Sequence, residues 1–406
     1  MTRWLERLDE DASARAKKNL TRAMRVVAAS QPQIVNADGH EYRDFCSNDY
    51  LGLSRHPEVI AAAQSAAAQF GAGARASRLI TGNTAIHEEL EASLAAFKGS
   101  ETALVFPSGY QANLGLLSLL LKFGDAVFVD RLAHSCLVDG VRLSSARLRV
   151  FPHNDLENLG RLLHAARGAP ARWIVIESVY SMDGDIAPLD ELLDLAVNHD
   201  ATIILDDAHG AGVIGRSGRG AAEHFGIDPQ EYAERLIVTA TLSKALGTQG
   251  GVVFGPRQLR DALVNASRPF VYTTGLSPIC AAAALAALNV LEREPERPRQ
   301  LQAHSQIARG ILQDAGLDTL QSETAIIPIL CGEAATALDL SEKLKSEGLL
   351  LLPIRPPTVP RGTSRLRMTV TLANAQADFA ECCTLVATTC RSLLSPPAES
   401  EQHPKE

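Results

Sequence analysis

The stretch TIILDDAHGAGVIG, residues 202–215, joins an apolar run to a turn that carries two carboxylates and a histidine. The run 202–205 has no polar face. A strand formed by it would be covered on both sides, which is typical of a parallel sheet flanked by helices. Ligands of such sheets bind beyond the carboxyl ends of the strands. We therefore expect the polar side chains after residue 205 to lie at the ligand-binding edge.

Similar apolar runs recur on both sides of this stretch. Helical patterns separate most of them, for example at residues 111–121, 155–166 and 189–199. Strands that alternate with helices predict an α/β fold with a mostly parallel seven-stranded sheet and helices on both faces. The six further runs are 103–106, 126–130, 148–151, 173–177, 236–240 and 252–255.

The chain divides into four segments by pattern. Residues 1–46 predict an N-terminal helical segment, with a polar helix over 5–30, and residues 47–290 form the large domain. The charged, proline-containing stretch 292–299 marks a boundary, beyond which 291–394 predicts a small C-terminal α+β domain. The composition of 395–406 predicts a disordered tail. Within the small domain we expect strands at 325–330, 349–353 and 365–370 and helices at 335–347 and 374–393.

Composition excludes several classes of protein. The 406 residues carry a formal charge of −8, which argues against a nucleic-acid-binding surface. No apolar run reaches the length of a membrane span, and the first residues do not resemble a signal peptide, so we expect a cytoplasmic protein. The seven cysteines are scattered without C-x-x-C spacing, which favours reduced thiols over disulfides or a metal site.

The segment TATLSKALGTQGG, residues 239–251, places a lysine just past the end of an apolar strand. The amine of Lys244 could condense with an aldehyde. The hydroxyl of Thr241 and nearby backbone N–H groups could hold a phosphate. A surface lysine before a glycine turn is the alternative interpretation.

Asp206 ends the strand of the opening stretch, where a carboxylate is costly to bury without a cationic partner. A protonated pyridine nitrogen is such a partner, and the carboxylate would keep the ring an electron sink. His209 could reach the same ring or a substrate. Alternatively, Asp206 caps a turn. A metal site is disfavoured because no third ligand accompanies the D-x-x-H pair.

Three further positions follow strands at the same edge. In FPSGYQAN, residues 106–113, Gly109 and Tyr110 open a helix whose N-terminal N–H groups attract phosphate. His134 is a candidate for stacking on a cofactor ring, and Ser181 adds a hydroxyl. Each has an ordinary structural alternative: a plain connection, a buried structural histidine and a turn residue.

The order of these motifs resembles the α-oxoamine synthases. The motifs are SGYQAN (108–113), His134, SMDG (181–184), DDAHG (206–210) and TLSKALG (241–247), and the resemblance runs from about residue 22 to 370. It implies a fold-type I pyridoxal-phosphate-dependent transferase, aspartate aminotransferase-like in fold. Members of that family join an amino acid to an acyl thioester and release carbon dioxide.

The string IRPPTVPRGTSRLRMT, residues 354–369, is similar to the branch of this family that uses L-alanine and a pimeloyl thioester in biotin synthesis. That branch implies pimeloyl-CoA or a pimeloyl carrier protein as the acyl donor. Sister activities stay open: glycine C-acetyltransferase, 5-aminolevulinate synthase and serine palmitoyltransferase. A catalytically silent cofactor-binding subunit is less favoured. A nicotinamide-dependent dehydrogenase is unfavoured, because the sequence has no G-x-G-x-x-G turn after an early strand.

The resemblance implies a role for each matching cofactor residue. Lys244 would attach the cofactor covalently and later act as the base, with Asp206 on the pyridine nitrogen. His209 would meet the ring oxygen and His134 would stack on the ring. The phosphate and ring substituents would be held by Gly109, Tyr110, Ser181 and Thr241, with Thr273 or Thr274 reaching in from the partner subunit of a homodimer.

The same resemblance implies the substrate contacts. Arg367 would bind the amino-acid carboxylate, for which a guanidinium is a two-pronged partner. Asn48 would lie close to the reacting centre. Arg22 and Thr358 would lie along the path of the acyl substrate.

Overall fold

The computed structural model describes residues 2–28, 31, 33–375 and 378–394. The strands in chain order are β1 Ile34–Ala37, β2 His40–Asp44, β3 Thr102–Phe106, β4 Ala126–Asp130, β5 Arg147–Phe151, β6 Arg172–Glu177, β7 Thr202–Asp206, β8 Leu236–Thr241, β9 Gly251–Gly255, β10 Ile326–Gly332, β11 Leu349–Leu350, β12 Pro353–Ile354 and β13 Ser364–Thr369.

Helices cover the strands and fill the connections between them. In chain order they are α1 Arg3–Lys17, a 3₁₀ turn Leu53–Arg55, α2 Pro57–Phe70, α3 Ala85–Lys98, α4 Gly109–Leu120, α5 Ser135–Leu143, α6 Leu156–Ala165, α7 Leu189–Asn198, α8 Ala221–His224, α9 Arg257–Ala266, α10 Arg268–Val271, α11 Pro278–Arg293, α12 Glu296–Asp314, α13 Ala334–Ser346 and α14 Phe379–Leu394.

The large sheet has seven strands in the order β3-β9-β8-β7-β6-β4-β5. The strands from β8 to β5 in that order pair in parallel, and β9 is antiparallel to both of its neighbours. Along β4, Val127 and Val129 pack into one apolar cluster, whereas Ala126 and Phe128 pack into the other. Because successive side chains point to opposite faces, the sheet is covered on both sides. The predicted mostly parallel seven-stranded sheet is confirmed.

Two small sheets lie outside the large one. One is β10-β13-β12 and the other is β1-β2-β11, so a part of the N-terminal segment shares a sheet with the C-terminal lobe. The predicted single strand at 349–353 is wrong: the chain forms β11 and β12, which belong to different sheets. The boundary predicted between residues 290 and 291 lies inside α11, which ends at Arg293, and α12 begins at Glu296. The division into domains stays a prediction. The predicted disordered tail 395–406 lies outside the described residues.

The predicted helix over 5–30 ends at Lys17 instead. Asn19 takes a left-handed conformation with φ 56°, which breaks the helix. The guanidinium of Arg355 then donates to the carbonyls of Asn19 and Thr21, so the segment that follows is held against the C-terminal lobe. Helix propensity along the sequence could not show this distant partner.

The composition predicts no membrane span, no metal site and no disulfide bonds. No helix among the described residues is long and apolar enough to cross a membrane. Within those same ranges no cluster of three or more His, Cys, Asp or Glu side chains could hold a metal ion. All seven cysteines, each a described residue, are free thiols.

Candidate active site

Three neighbouring strands end in polar side chains at one edge of the large sheet. Glu177 closes β6, Asp206 closes β7, and the two residues are paired in register. Asp206 is likewise paired with Thr239 of β8, two residues before that strand ends. The structure thus places two carboxylates side by side at the carboxyl ends of parallel strands, where such sheets bind ligands.

Asp206 is buried and has two hydrogen-bond donors. The side-chain amide of Asn113 donates to its Oδ2 at 2.7 Å, and the N–H of Ala208 donates to Oδ1 at 3.0 Å. Thr239 donates to Asn113 Oδ1 at 2.8 Å and so fixes the orientation of that amide. Burial raises the pKa of Asp206, while the nearby Lys244 lowers it. The carboxylate is set to receive a cationic N–H group.

Lys244 lies in the turn after β8. Thr241 Oγ1 donates to the carbonyl of Gly250 at 2.9 Å and lies 2.7 Å from Ser243 Oγ, which closes this turn. Burial lowers the pKa of Lys244 to about 8, although Asp206 and Glu177 oppose that effect. The neutral amine, which is the form that attacks an aldehyde, is therefore much more abundant near neutral pH than it would be for a lysine of ordinary pKa.

Glu177 is a site residue that our sequence reasoning missed. Burial, and then the charge of Asp206, raise the pKa of Glu177 to about 8. Its Oε1 accepts the backbone N–H of His134 at 2.5 Å, which ties the start of α5 to the sheet edge. A glutamate at the end of the apolar run 173–177 was the available signal.

The ring of His134 is exposed at the N-terminus of α5. Its Nδ1 accepts the N–H of Cys136 at 3.2 Å and lies 3.0 Å from the sulfur of the same residue. The ring is therefore held through its Nδ1 edge. Burial lowers the pKa of His134.

His209 and Arg367 are joined through Tyr50. The hydroxyl of Tyr50 lies 2.7 Å from Nδ1 of the buried His209 and accepts from Nη2 of Arg367 at 3.4 Å. Burial lowers the pKa of His209 well below its usual value, so the ring is neutral. Tyr50 was not predicted, because it lies 159 residues from His209 in the chain.

Arg367 on β13 is oriented without an acidic partner. Its Nη1 and Nη2 donate to Asn48 Oδ1 at 3.1 and 3.2 Å, and its Nε donates to the carbonyl of Ser181 at 2.7 Å. Among the described residues no carboxylate lies within ion-pair distance of this guanidinium. Its positive charge is therefore available to an anionic ligand.

Gly109 opens α4 where the turn lies close against β8. A Cβ on Gly109 would lie 3.4 Å from the Cβ of Thr241, and one on Gly251 would lie 2.4 Å from the carbonyl oxygen of Ser108. The N–H of Gln111 donates to Ser108 Oγ at 3.2 Å, whereas the N–H groups of Gly109 and Tyr110 come before the first hydrogen bond of the helix. Such N–H groups bind phosphate. Tyr110 is partly exposed, and its hydroxyl donates to Asp139 at 2.5 Å.

Thr273 and Thr274 do not join this cluster within the chain. They lie between α10 and α11, in a loop whose Gly275 donates its N–H to the carbonyl of Ala76 at 3.0 Å. In the described part of the chain no hydrogen bond links either threonine to Lys244 or Gly109. Their role in a partner's site stays a prediction.

A cavity of about 610 Å³ adjoins the cluster. Arg22, from the segment after α1, donates to Thr358 Oγ1 at 3.0 Å and closes one side of it. The structure therefore brings Arg22 and Thr358 together, beside a space large enough for a chain-like ligand. Its lining includes Arg22, Arg131, His134, Ser181, Thr358 and Arg365.

The fold and the site define a class of enzyme. The aminotransferase class I and II family matches residues 41–380, and the chain belongs to that family. The fold class predicted from the sequence is confirmed by this match.

Particular relatives narrow the class. The chain is 46% identical to 8-amino-7-oxononanoate synthase of Maricaulis maris over 93% of each chain. It also resembles a solved serine palmitoyltransferase containing pyridoxal phosphate, with TM-score 0.87, 30% identity and coverage of 96% of this chain and 98% of that one. The solved 8-amino-7-oxononanoate synthase of Francisella tularensis matches with TM-score 0.75 and 27% identity over 86% of this chain and 97% of that one.

Proposed function

We propose that this chain condenses L-alanine with a pimeloyl thioester, releasing carbon dioxide and free thiol and forming 8-amino-7-oxononanoate for biotin biosynthesis. The proposal rests on one observation: two regions that attract anions lie on either side of the partly buried Lys244. Arg367 offers its charge on one side of the site, and the cavity closed by Arg22 and Thr358 opens on the other. Such an arrangement suits an enzyme that joins an amino acid to an anionic acyl donor.

The cofactor is pyridoxal phosphate, and the residues present fit it. Asp206 offers a buried carboxylate to the pyridine nitrogen, and the turn at Gly109 offers N–H groups beside the Thr241 hydroxyl to the phosphate. Lys244 is the amine for covalent attachment, and the neutral His209 suits the ring oxygen. When bound, the cofactor supplies an aldehyde for the amines and a ring that withdraws electrons from the amino-acid carbon.

Lys244 is the base of the proposed reaction. With a pKa of about 8, its amine can take the proton from the α-carbon of alanine and later return one to the product. Arg367 orients the alanine carboxylate, and Asn48 holds the guanidinium in place. His134, bound to Glu177 through its backbone N–H, presents its ring at the entrance to the acyl cavity.

The acyl donor enters through the cavity beside His134. Arg22, Arg131 and Arg365 line it. Among the described residues Asp183 is the one acidic side chain of the lining, and it is paired with Arg365. This cationic lining favours a chain that ends in a carboxylate over a neutral fatty chain.

A homodimer, a cytoplasmic location and the four-segment division of the chain are parts of the same proposal. The loops around residues 76 and 275 lie together and expose Ile80 and Tyr272, each 75% accessible in the single chain. A second copy docked on this surface would bring Thr273 or Thr274 to its partner's phosphate site.

The first test is an absorbance spectrum of the purified holoenzyme with an amino-acid titration. A band near ~420 nm is expected for the lysine-bound cofactor, and it should change with L-alanine. Pimeloyl-CoA should then release free thiol. The matched variants are Lys244→Ala, which should lose both responses, and the exposed Lys122→Ala, which should keep them.

Serine palmitoyltransferase is the second candidate, because solved structures of that enzyme match over nearly the whole chain. The same assay with glycine or L-serine, and with acetyl-CoA or palmitoyl-CoA, separates the alternatives. Turnover with L-serine and palmitoyl-CoA, in the absence of turnover with L-alanine and pimeloyl-CoA, would overturn the proposed substrates.

A further inference from the structure

His153, in the connection between β5 and α6, is clamped between two buried carboxylates. Its Nδ1 lies 3.0 Å from Asp130 Oδ1, and its Nε2 lies 2.8 Å from Asp185 Oδ2. Its ring packs edge-on against Tyr180, with 4.3 Å between ring centroids. None of the proposed steps uses this histidine, although it lies next to the loop that leads to the active site.

The ring of His153 must be positively charged, because both of its nitrogens face carboxylate oxygens and both must donate. Burial disfavours the charged ring, but the hydrogen bonds to Asp130 and Asp185 outweigh that effect and raise the pKa of His153 to about 10. The Tyr180 hydroxyl and the Asp183 carboxylate also face this cluster. The positively charged His153 ring therefore stabilises the neighbouring carboxylates of Asp130 and Asp185.

On one side, the cluster formed by His153, Asp130 and Asp185 fixes the turn that leads to His134. Asp130 ends β4, and it accepts the N–H of Leu132 at 2.8 Å and that of Asn154 at 3.0 Å. Asp130 thereby shapes the short turn between β4 and α5. His134 stands at the end of that turn.

On the other side the cluster fixes the loop 180–186. Asn154 donates to Asp185 Oδ2 at 3.0 Å, and the N–H of Tyr180 donates to the Asp185 carbonyl at 3.1 Å. The carbonyl of Gly184 accepts from Thr324 Oγ1 at 2.9 Å. Gly184 has φ 75°, and a Cβ there would lie 2.0 Å from the Ile326 carbonyl, so the loop fits closely against the C-terminal lobe.

This loop orients the two arginines of β13. The Ser181 carbonyl accepts from Nε of Arg367 at 2.7 Å, and Asp183 is paired with Arg365. A shift of the loop would therefore move the main-chain acceptor that sets the plane of the Arg367 guanidinium. Bidentate recognition of a carboxylate depends on that plane.

We propose that His153 is a positioning residue for the amino-acid site. By binding both Asp130 and Asp185, it holds the loop 180–186 in place. The Ser181 carbonyl then orients the Arg367 guanidinium toward the carboxylate of the amino-acid substrate. This inference rests on the proposed function of Arg367. It makes His153 a determinant of affinity for the carboxylate rather than for the amine.

The test compares two ligands that differ only in the carboxylate. L-Alanine and ethylamine both offer an amine to the bound cofactor, but ethylamine has no carboxyl group for Arg367. Each is titrated into the holoenzyme while the absorbance of the cofactor is followed. In His153→Gln the preference for L-alanine over ethylamine should fall ~10-fold or more, because small misplacements of an oriented contact are costly. General damage to the site would weaken both ligands alike.

Two further variants keep the test decisive. Asp185→Asn removes one carboxylate charge with little change of shape, and it should lower the same preference if His153→Gln does not fold. His164→Gln changes an exposed histidine on α6 and should leave the preference unchanged. Wild-type holoenzyme without any preference for L-alanine would overturn the proposed amino-acid site itself. A wild-type preference that both cluster variants retain would overturn only the role of His153.

Discussion

Replacing Asp206 by asparagine tests the electrostatic arrangement of the site. Both carboxylate oxygens of Asp206 accept hydrogen bonds, one from the Asn113 amide and one from the Ala208 N–H. An asparagine has only one acceptor oxygen, so its NH₂ group must face one of these donors. The variant keeps the size of the side chain, but it loses one buried hydrogen bond and the negative charge. The lost bond alone costs about 1–3 kcal/mol.

The loss of charge has two separate consequences. In the proposed site the pyridine nitrogen would lose its anionic partner, and kcat should fall by ~10²–10³, the usual effect of removing one group that stabilises developing charge. Asp206 is also the largest of the influences that raise the pKa of Lys244. Without it the pKa of Lys244 should fall further below its present value of about 8.

Two assays measure these consequences independently. Thiol release from pimeloyl-CoA in the presence of L-alanine gives kcat. The rate at which the cofactor-free protein takes up pyridoxal phosphate, followed against pH, reports the neutral amine of Lys244. Below its pKa this rate should rise with pH, and in Asp206→Asn the midpoint should move to lower pH. The control Asp194→Asn changes an exposed carboxylate on α7. An unchanged kcat together with an unchanged midpoint would refute the reasoning.

Three further variants test other parts of the structure. Lys244→Ala should abolish thiol release, and turnover at the wild-type rate would contradict its role as base. Arg22→Gln should raise the KM for the thioester ~10-fold, the equivalent of one charged hydrogen bond, while L-alanine titrations stay unchanged. An unaltered KM would contradict the proposed contact of Arg22 with the acyl substrate. Lys98→Met leaves the buried Asp207, 2.6 Å away, without its cation and should lower the free energy of unfolding by about 3–5 kcal/mol in urea titrations. The exposed Lys122→Met should have little effect, and equal losses in the two variants would contradict the importance of the buried pair.

The positions of the main site residues could be predicted because they follow strands. An apolar run without a polar face had to be a buried strand, and the side chains directly after it had to lie at a sheet edge. Asp206 ends β7, and Lys244 lies in the turn directly after β8, where this argument places them. The motif resemblance added the family, which the family match over residues 41–380 and the 46% identical relative together confirm. The individual residue roles stay proposals.

Contacts between distant segments could not be predicted in the same way. Tyr50 reaches His209 across 159 residues, and Arg355 reaches Asn19 across 336. Local periodicity does not reveal such distant partners. Tyr50 was therefore not predicted as a site residue, and the first helix was predicted to be longer than it is. Glu177 was visible as the end of a strand, but its role depends on the adjacent charge of Asp206, which only the register of β6 and β7 reveals.

The sequence by itself determined the layered sheet, the edge where ligands of such sheets bind and the place of the candidate lysine beside that edge, because apolar runs and the residues that follow them are visible locally along the chain. The tertiary structure alone decided which charges neutralise one another. Arg367 has no acidic partner among the described residues, whereas Arg365 is paired with Asp183 and His153 is held between Asp130 and Asp185. These arrangements depend on distances across the fold, since the energy of a charge is set by what surrounds it after folding.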